Sequence, residues 1–377
     1  MPHLALNAHL LHGGASYRSA GIHQYIFNLL RHLPEAAPDF DFTVFVGAGR
    51  PEMARARIER SRWPTQRPLI RILWEQCVQP LALVRLRPDL LHSLAFASPL
   101  LNPAPAVVTV YDLSFRLFPQ NFPIAQRLYL SAFTALSCRR ARRVIAISES
   151  TKADVCRLLG VSGERVDVAY PGVDPRFRPL PPAEVEAFRA RAGLPERFIL
   201  YLGTLEPRKN LGTLIDAFAR LQSSISNPQF SNFHLILAGA KGWFYQSLFE
   251  QVERLGLRGR VHFPGYLPAD ELPLWYNACA VFVYPSSFEG FGMPVVEALA
   301  CARPVVTSNV SSLPEAGGEA AMLTAPGDVD ALAAALNRAL TDGGEPARRG
   351  PAHAARFSWP ATARCTVECY RKALTDR

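Results

Sequence analysis

The chain has 377 residues, 49% of them hydrophobic, 19% charged and 10% aromatic; that composition fills two globular domains and excludes a disordered or fibrous chain. Its net charge is +9, concentrated in residues 1–174, which hold 20 Lys+Arg against 13 Asp+Glu. No apolar stretch reaches the roughly 18 residues of a membrane span and the start, Met1-Pro2-His3-Leu4, lacks a basic leader region, so a cytoplasmic protein is expected.

In chain order, apolar runs at 3–11, 42–46, 89–92, 106–110, 143–147 and 165–169 read as strands, with helical patterns at 22–32, 123–140 and 151–159. The alternation predicts parallel βαβ units. The cluster Arg139-Arg140-Ala141-Arg142-Arg143 ends a partly amphipathic helix; its cations suit either a helix C-terminus or an anionic membrane surface. No nucleic-acid-binding motif is present. A proline-rich stretch at 171–182 interrupts the rhythm, which resumes with strands at 198–202, 234–238, 261–264, 281–284 and 304–308 and a last helix at 360–374. The predicted division is a domain over 1–174, a linker over 175–190, a domain over 191–357 and a terminal helix over 358–377.

The seven cysteines, odd in number and scattered, read as reduced thiols. Cys365 and Cys369 stand one helical turn apart without the further ligands a zinc site needs. No metal is expected.

Two strand ends in the second half carry the chemistry. The run Phe198–Leu202 enters Gly203-Thr204-Leu205-Glu206-Pro207-Arg208-Lys209-Asn210. A guanidinium fork beside an ammonium fits a diphosphate, although a solvated helix start has the same composition. The run Val281–Tyr284 enters Phe288-Glu289-Gly290-Phe291-Gly292-Met293-Pro294-Val295-Val296-Glu297, read as a loop holding Glu289 and then a helix with Pro294 at its first position and Glu297 in its first turn. Gly290 and Gly292 let the backbone approach a ligand closely. Two carboxylates at the carboxyl edge of a parallel strand suit sugar and ribose hydroxyls; the alternative is a pair of helix N-terminal acids favoured by the dipole.

Together these motifs resemble the donor-site signatures of retaining glycosyltransferases of family 4. The likeness extends to Tyr111-Asp112-Leu113-Ser114-Phe115, Val144-Ile145-Ala146-Ile147-Ser148-Glu149-Ser150, Tyr170-Pro171-Gly172-Val173-Asp174 and Arg356-Phe357-Ser358-Trp359, so it covers nearly the whole chain. It is closest to the mannosyltransferase-like branch that builds bacterial surface polysaccharides. The resemblance implies an α/β GT-B fold: two Rossmann-like domains with parallel sheets facing an interdomain cleft, and the terminal helix packing back on the first, acceptor-side domain.

It further implies transfer of a hexose, with retained configuration, from a nucleoside-diphosphate sugar, leaning to GDP-mannose, to a glycan or lipid-linked acceptor. Arg208 and Lys209 would neutralise the leaving diphosphate without a metal or other cofactor. Gly203 and Thr204 would border the donor, Glu289 with the amides of Gly290, Phe291 and Gly292 would hold the sugar, and Glu297 would bind the ribose. In the first domain Gly21, preferred to Gly13-Gly14, would offer an amide to the phosphate. Tyr111 departs from the pattern, because relatives carry His there. It can bond a sugar hydroxyl without titrating near neutral pH, or simply pack at a strand end; Asp112 would orient acceptor or sugar. The basic first half would give peripheral contact with the inner face of a membrane, and no nucleic acid is expected as partner. The rivals are an epimerase or phosphorylase on the same fold and a nucleotide-sugar-binding protein without turnover.

Overall fold

The computed structural model describes residues 1–11, 21–223, 232–242 and 245–376, so Gly13 and Gly14 lie outside the described residues. The chain divides into two compact units, Met1–Gly172 with Ser358–Arg377, and Val173–Phe357.

The first unit is built on seven parallel strands: β1 His3–Asn7, β2 Asp41–Val46, β3 Ala56–Arg60, β4 Leu90–Ser93, β5 Ala106–Val110, β6 Arg143–Ala146 and β7 Val166–Val168. Their order is β3-β2-β1-β4-β5-β6-β7. Helices cover both faces, so the inner strands are continuous apolar runs; Leu4, Leu6, Leu90, Leu91, Val107 and Val108 are fully buried. β3 is a strand that the apolar pattern did not predict. Its sequence Ala-Arg-Ile-Glu-Arg is charged and largely exposed, as suits an edge strand that must not recruit a further one. The chain leaves β1 toward β2 and β3, then returns to the other side of β1 as β4, so strand order reverses between β1 and β4.

The second unit repeats the plan with β8 Phe198–Leu202, β9 His234–Ala238, β10 Val261–Gly265, β11 Val281–Tyr284, β12 Val305–Ser308 and β13 Ala321–Thr324. Their order is β10-β9-β8-β11-β12-β13, again all parallel, with the reversal between β8 and β11. Ligands of open α/β sheets bind outside the carboxyl ends of the strands at such a reversal.

The last helix, Trp359–Thr375, begins where the Ser358 hydroxyl accepts from the Ala361 amide. It lies on the helix Ile22–Ala36 of the first unit. Trp359 meets the edge of Tyr25 at 5.8 Å, and the Tyr370 hydroxyl stands 2.6 Å from Nδ1 of buried His92, whose Nε2 is 2.8 Å from the Thr109 hydroxyl.

The structure changes or settles three sequence expectations. Inside the stretch read as linker, Pro182–Ala192 is a helix; the prolines set its start, Pro182 standing at its first position, and the Ala-, Glu- and Arg-rich residues after them favour helix. The Arg139–Arg143 cluster, open between a helix C-terminus and an anionic surface, does close the helix Ile124–Arg140, with Arg139 and Arg140 exposed in its last turn. Arg143 is buried, bonding Asp167 at 2.6 Å and Asp376 at 3.1 Å, while Arg142 donates to the Ala373 carbonyl and Arg139 to that of Leu159.

Third, residues 68–86 form one helical rod that was not anticipated: Pro68–Leu73, a π turn over Trp74–Val78, and Gln79–Leu86. Its outer side is an exposed stripe of Leu69, Leu73, Cys77, Leu81 and Val84. Four residues advance an α-helix by about 400°, so a spacing of four drifts by about 40° per step. The wider i→i+5 turn takes back part of that drift and keeps the stripe on one side.

Candidate active site

The reversal between β8 and β11 sets two loops side by side. After β8 the backbone continues the sheet briefly, with the Gly203 amide on Ala238 and the Leu205 amide on Ala240. Gly239 (φ 147°) must be glycine here, since a Cβ would overlap the Gly203 carbonyl. Pro207–Lys209 then make one 3₁₀ turn, closed by the Lys209 amide on Glu206 (3.0 Å), and the helix Leu211–Ser223 follows. After β11 the loop is fixed from below: the Ser312 hydroxyl donates to the carbonyls of Glu289 (2.9 Å) and Phe291 (2.8 Å), and the Glu289 amide donates to the Ser311 hydroxyl (2.9 Å). A bond from the Ser287 amide to the Arg208 carbonyl (2.8 Å) ties the loops together.

Five side chains converge between them. Lys209 Nζ donates to Glu289 Oε1 at 2.6 Å and to the Tyr284 hydroxyl at 3.0 Å. Arg208 Nη1 donates to the Phe288 carbonyl (2.8 Å) and reaches Glu289 Oε2 at 3.3 Å, while its Nη2 holds Glu206 Oε1 at 2.9 Å. Lys209, Glu206 and Glu289 are each no more than 8% exposed, a depth at which an unpaired charge would cost several kcal/mol.

Burial alone would raise the Glu289 carboxyl. Lys209 and Arg208 more than offset this and hold it down at about 2. The same burial draws the Lys209 ammonium below its ordinary value, with Glu289 opposing. The result is a cluster of two cations and two carboxylates, preorganised and sheltered from water, in which charge on an incoming group acts strongly.

Arg208, Lys209 and Glu289 are thus brought together. Glu206 and Tyr284 complete the cluster, and neither is among the expected site residues: Glu206 stands inside the first motif, and Tyr284 ends the buried run Val281–Tyr284. Gly203, Thr204 and Gly290 lie in the two loops. Phe291 offers main chain only, because its ring is buried edge-on to Phe357 at 5.2 Å.

Gly292 (φ 111°) starts the helix Met293–Ala300, which places Pro294 second rather than first and Glu297 in the second turn. Neither acid therefore sits in the first turn, and the dipole explanation falls away. Glu297 accepts from the Tyr276 hydroxyl at 2.8 Å; burial pushes its carboxyl up to about 7, with that hydrogen bond pulling the other way.

In the first unit, Gly21 (φ 59°, ψ −102°) precedes the helix Ile22–Ala36 without a side-chain cap. Tyr111 packs at the strand end: it is 5% exposed, its hydroxyl donates to the Leu94 carbonyl at 2.7 Å, and its ring lies against Tyr25 and Phe96. Asp112 accepts from the Ser114 amide (2.8 Å) and hydroxyl (2.6 Å), anchoring the short helix Ser114–Leu117. Among the described residues, no three His, Cys, Asp or Glu side chains form a metal-holding group.

A family model described as glycosyl transferases group 1 matches residues 184–356, and one described as glycosyltransferase family 4 matches residues 19–177. The chain is 34% identical over 270 residues to the O-antigen chain mannosyltransferase B of Escherichia coli, covering 71% of this chain and 70% of that one. It is 30% identical over 327 residues to the serotype-specific mannosyltransferase WbdA of Escherichia coli, covering 79% of this chain but 38% of that longer one. It is 34% identical over 250 residues to the D-inositol 3-phosphate glycosyltransferase 2 of Catenulispora acidiphila, covering 63% and 57%. Among solved structures, sucrose-phosphate synthase from Thermosynechococcus elongatus superposes with a TM-score of 0.76 at 24% identity, and HepE of Anabaena in complex with UDP with 0.72 at 22%, each over 98% of both chains. These two likenesses show the two-Rossmann GT-B fold.

The cluster makes a signed prediction. Because the folded pKa of Glu289 lies below its ordinary 4.5, its contribution to stability is present above pH 4.5 and is lost as pH falls from there toward 2. Glu289→Gln strands Lys209 beside a hydroxyl and should lower unfolding stability at pH 7 by about 3–5 kcal/mol. The difference between parent and variant, followed by urea denaturation, should shrink on acidification through that window; a constant difference would count against the ion pair.

Proposed function

The chain belongs to the glycosyltransferases that join a family 4 domain to a group 1 domain, and from this we propose that it is a retaining hexosyltransferase using a nucleoside-diphosphate sugar. The buried cluster of Arg208, Lys209 and Glu289 at the second sheet's reversal supports the reading most directly. Two fixed cations there suit the charge that grows on a departing diphosphate, the task a metal performs elsewhere. In the reaction, the acceptor oxygen bonds to the anomeric carbon as the bond from that carbon to phosphate breaks, and the acceptor's proton passes to the departing phosphate on the same face. Glu289 holds hydroxyls of the sugar and Glu297 those of the ribose. The names of the Escherichia coli relatives favour mannose as the sugar and a growing surface polysaccharide as the acceptor. Thermal shifts over GDP-, UDP-, dTDP- and ADP-sugars test the donor.

Arg208→Ala and Lys209→Ala should each reduce turnover by about 10²–10³, since one preorganised group of this kind is worth about 3–4 kcal/mol. Chelator should leave the rate unchanged; full loss in EDTA with recovery on adding Mg²⁺ or Mn²⁺ would refute the metal-independent mechanism.

Glu297 sets a pH dependence. With its carboxyl near 7, the ionised form that accepts from ribose hydroxyls is the minority below that value. Affinity for the nucleoside diphosphate should therefore rise with pH through 7 and level off above about 8, and Glu297→Gln should bind more weakly with that rise abolished. Calorimetry at pH 6, 7 and 8 reads both.

Among the described residues, no helix is long and apolar enough to cross a membrane. Peripheral contact through the stripe Leu69, Leu73, Leu81 and Val84 is our proposal, with exposed Arg85 on the same rod and Arg67 and Arg87 at its two ends attracting anionic headgroups. Replacing Leu69, Leu73 and Leu81 by Gln should at least halve the fraction sedimenting with anionic vesicles, and Arg140→Ala should not. The reverse result would return the contact to the Arg139–Arg143 end.

A further inference from the structure

Tyr284 ends β11 inside the ion-pair cluster, and its place there is fixed by main chain. It pairs with Thr307 of β12, whose hydroxyl donates to the Tyr284 carbonyl at 2.7 Å, and Pro285 after it holds the backbone extended. Its ring is 3% exposed and stacks with those of Tyr201 (5.8 Å, 14°) and Phe282 (6.1 Å, 18°). For packing alone, a ring without a hydroxyl would serve. The hydroxyl needs its own explanation, since burying one costs free energy unless it is paired.

Its partner is the Lys209 ammonium at 3.0 Å. That nitrogen lies 5.2 Å from the ring centroid, so it meets the oxygen from beyond the ring and not the π face. Tyr201 makes the contrast. It is equally buried, on the neighbouring strand β8, but its hydroxyl donates to the Thr204 carbonyl at 3.2 Å, a bond within its own loop.

We propose that Tyr284 is a positioning residue for the transfer reaction, its hydroxyl setting the rotation of the Lys209 ammonium so that the third N–H is aimed at the departing diphosphate. The inference rests on the transferase reading and adds to it how one of the two cations is oriented.

An ammonium carries three N–H donors about one axis. Glu289 Oε1, at 2.6 Å, takes one of them. A nitrogen held at that single point is still free to turn about the N···O line. The Tyr284 oxygen takes a second donor and stops the turn, which fixes the direction of the third. A charge that meets a leaving group as it forms lowers the barrier only if its orientation is set beforehand. Lys209 needs such a device more than Arg208 does, because a guanidinium fork is planar and preorganised while an ammonium turns on a flexible stem.

The same hydroxyl bears on the proton of Lys209. Burial draws the ammonium below its ordinary value; Glu289 opposes this, Arg208 adds to it and Glu206 opposes it. Burial, with Glu289 beside it, keeps the Tyr284 phenol protonated, and its own O–H faces Glu289. The oxygen is thus an acceptor for the ammonium and favours the charged form. Without it, Lys209 loses its proton at lower pH.

Both effects are read from nucleoside diphosphate release by the full-length protein between pH 6 and 10. The donor is GDP-mannose, or whichever of the UDP-, dTDP- and ADP-sugars the parent turns over, with a mannose-terminated trisaccharide as acceptor. Tyr284→Phe should lower kcat about tenfold at pH 7, the worth of one hydrogen bond to a charged group, and leave the donor KM within about threefold. The alkaline limb of kcat, where Lys209 deprotonates, should move down by about one unit. In a Lys209→Ala background the same substitution should cost less than about twofold, because a residue acting through Lys209 then has nothing to act on. Replacement of Tyr284 by 3-fluorotyrosine keeps the hydroxyl and the shape while weakening the oxygen as an acceptor. It should move the limb the same way by less, and it carries the test if the Tyr284→Phe protein does not fold. An unmoved limb in folded variants, or the full tenfold loss in the Lys209→Ala background, would overturn the positioning role. A parent that turns over none of the four donors ends the transferase reading itself, which is a separate result.

Discussion

A lysine buried in protein keeps its proton only beside a counter-charge, and much of the second unit's architecture supplies one for Lys209. Glu289 supplies the charge at 2.6 Å. Holding that carboxylate in place takes two serines on the next loop, a left-handed glycine at the following helix start and a backbone bond between the two loops. Hydrophobic side chains of similar volume could fill the space at no loss of stability. A pair of charges kept in such a place is therefore better explained by use than by folding. The cations that Glu289 and Glu206 neutralise are those a diphosphate would claim, so ligand phosphate must share or replace partners already in hand. Binding is then an exchange of ion pairs, less costly than charging a bare cavity.

The two units answer the same topological constraint. A parallel sheet whose strand order reverses leaves a gap between the two loops that diverge there, and side chains from both loops meet across it. In the second unit the gap holds the ion-pair cluster; in the first it lies between the chain leaving β1 and the chain leaving β4. The residues differ because the loops differ, while the position is dictated by the sheet.

Much of this was legible in the sequence where periodicity is strong. Strands β5, β8, β9 and β11 fall on the residues the apolar runs indicated, because strands buried on both faces need continuous apolar sequence. The edge strand β3 was invisible for the converse reason, since charge and exposure are what an edge can carry. The donor-side cations and Glu289 could be read from motif spacing. Glu206 could not, because pairing two residues along the chain depends on a 3₁₀ turn that spacing does not encode. Tyr111 was left open between a sugar contact and packing at a strand end, because motif position does not encode that its hydroxyl bonds the Leu94 carbonyl. The rod over 68–86 was missed because it changes period at its π turn, which blurs the helical repeat.

The last helix has a consequence for how the protein is made. Residues 173–357 form an insertion within the first unit, whose closing helix is synthesised only after the whole of the second unit. Until residues 359–375 are synthesised, His92 lacks the Tyr370 hydroxyl and the apolar side of Ile22–Ala36 lacks its cover. The second unit, continuous in sequence, can close while the first still waits. Order of completion thus runs against order of synthesis: the domain begun first is finished last, and a chain stopped short of Ser358 would carry a whole second unit beside an unfinished first one.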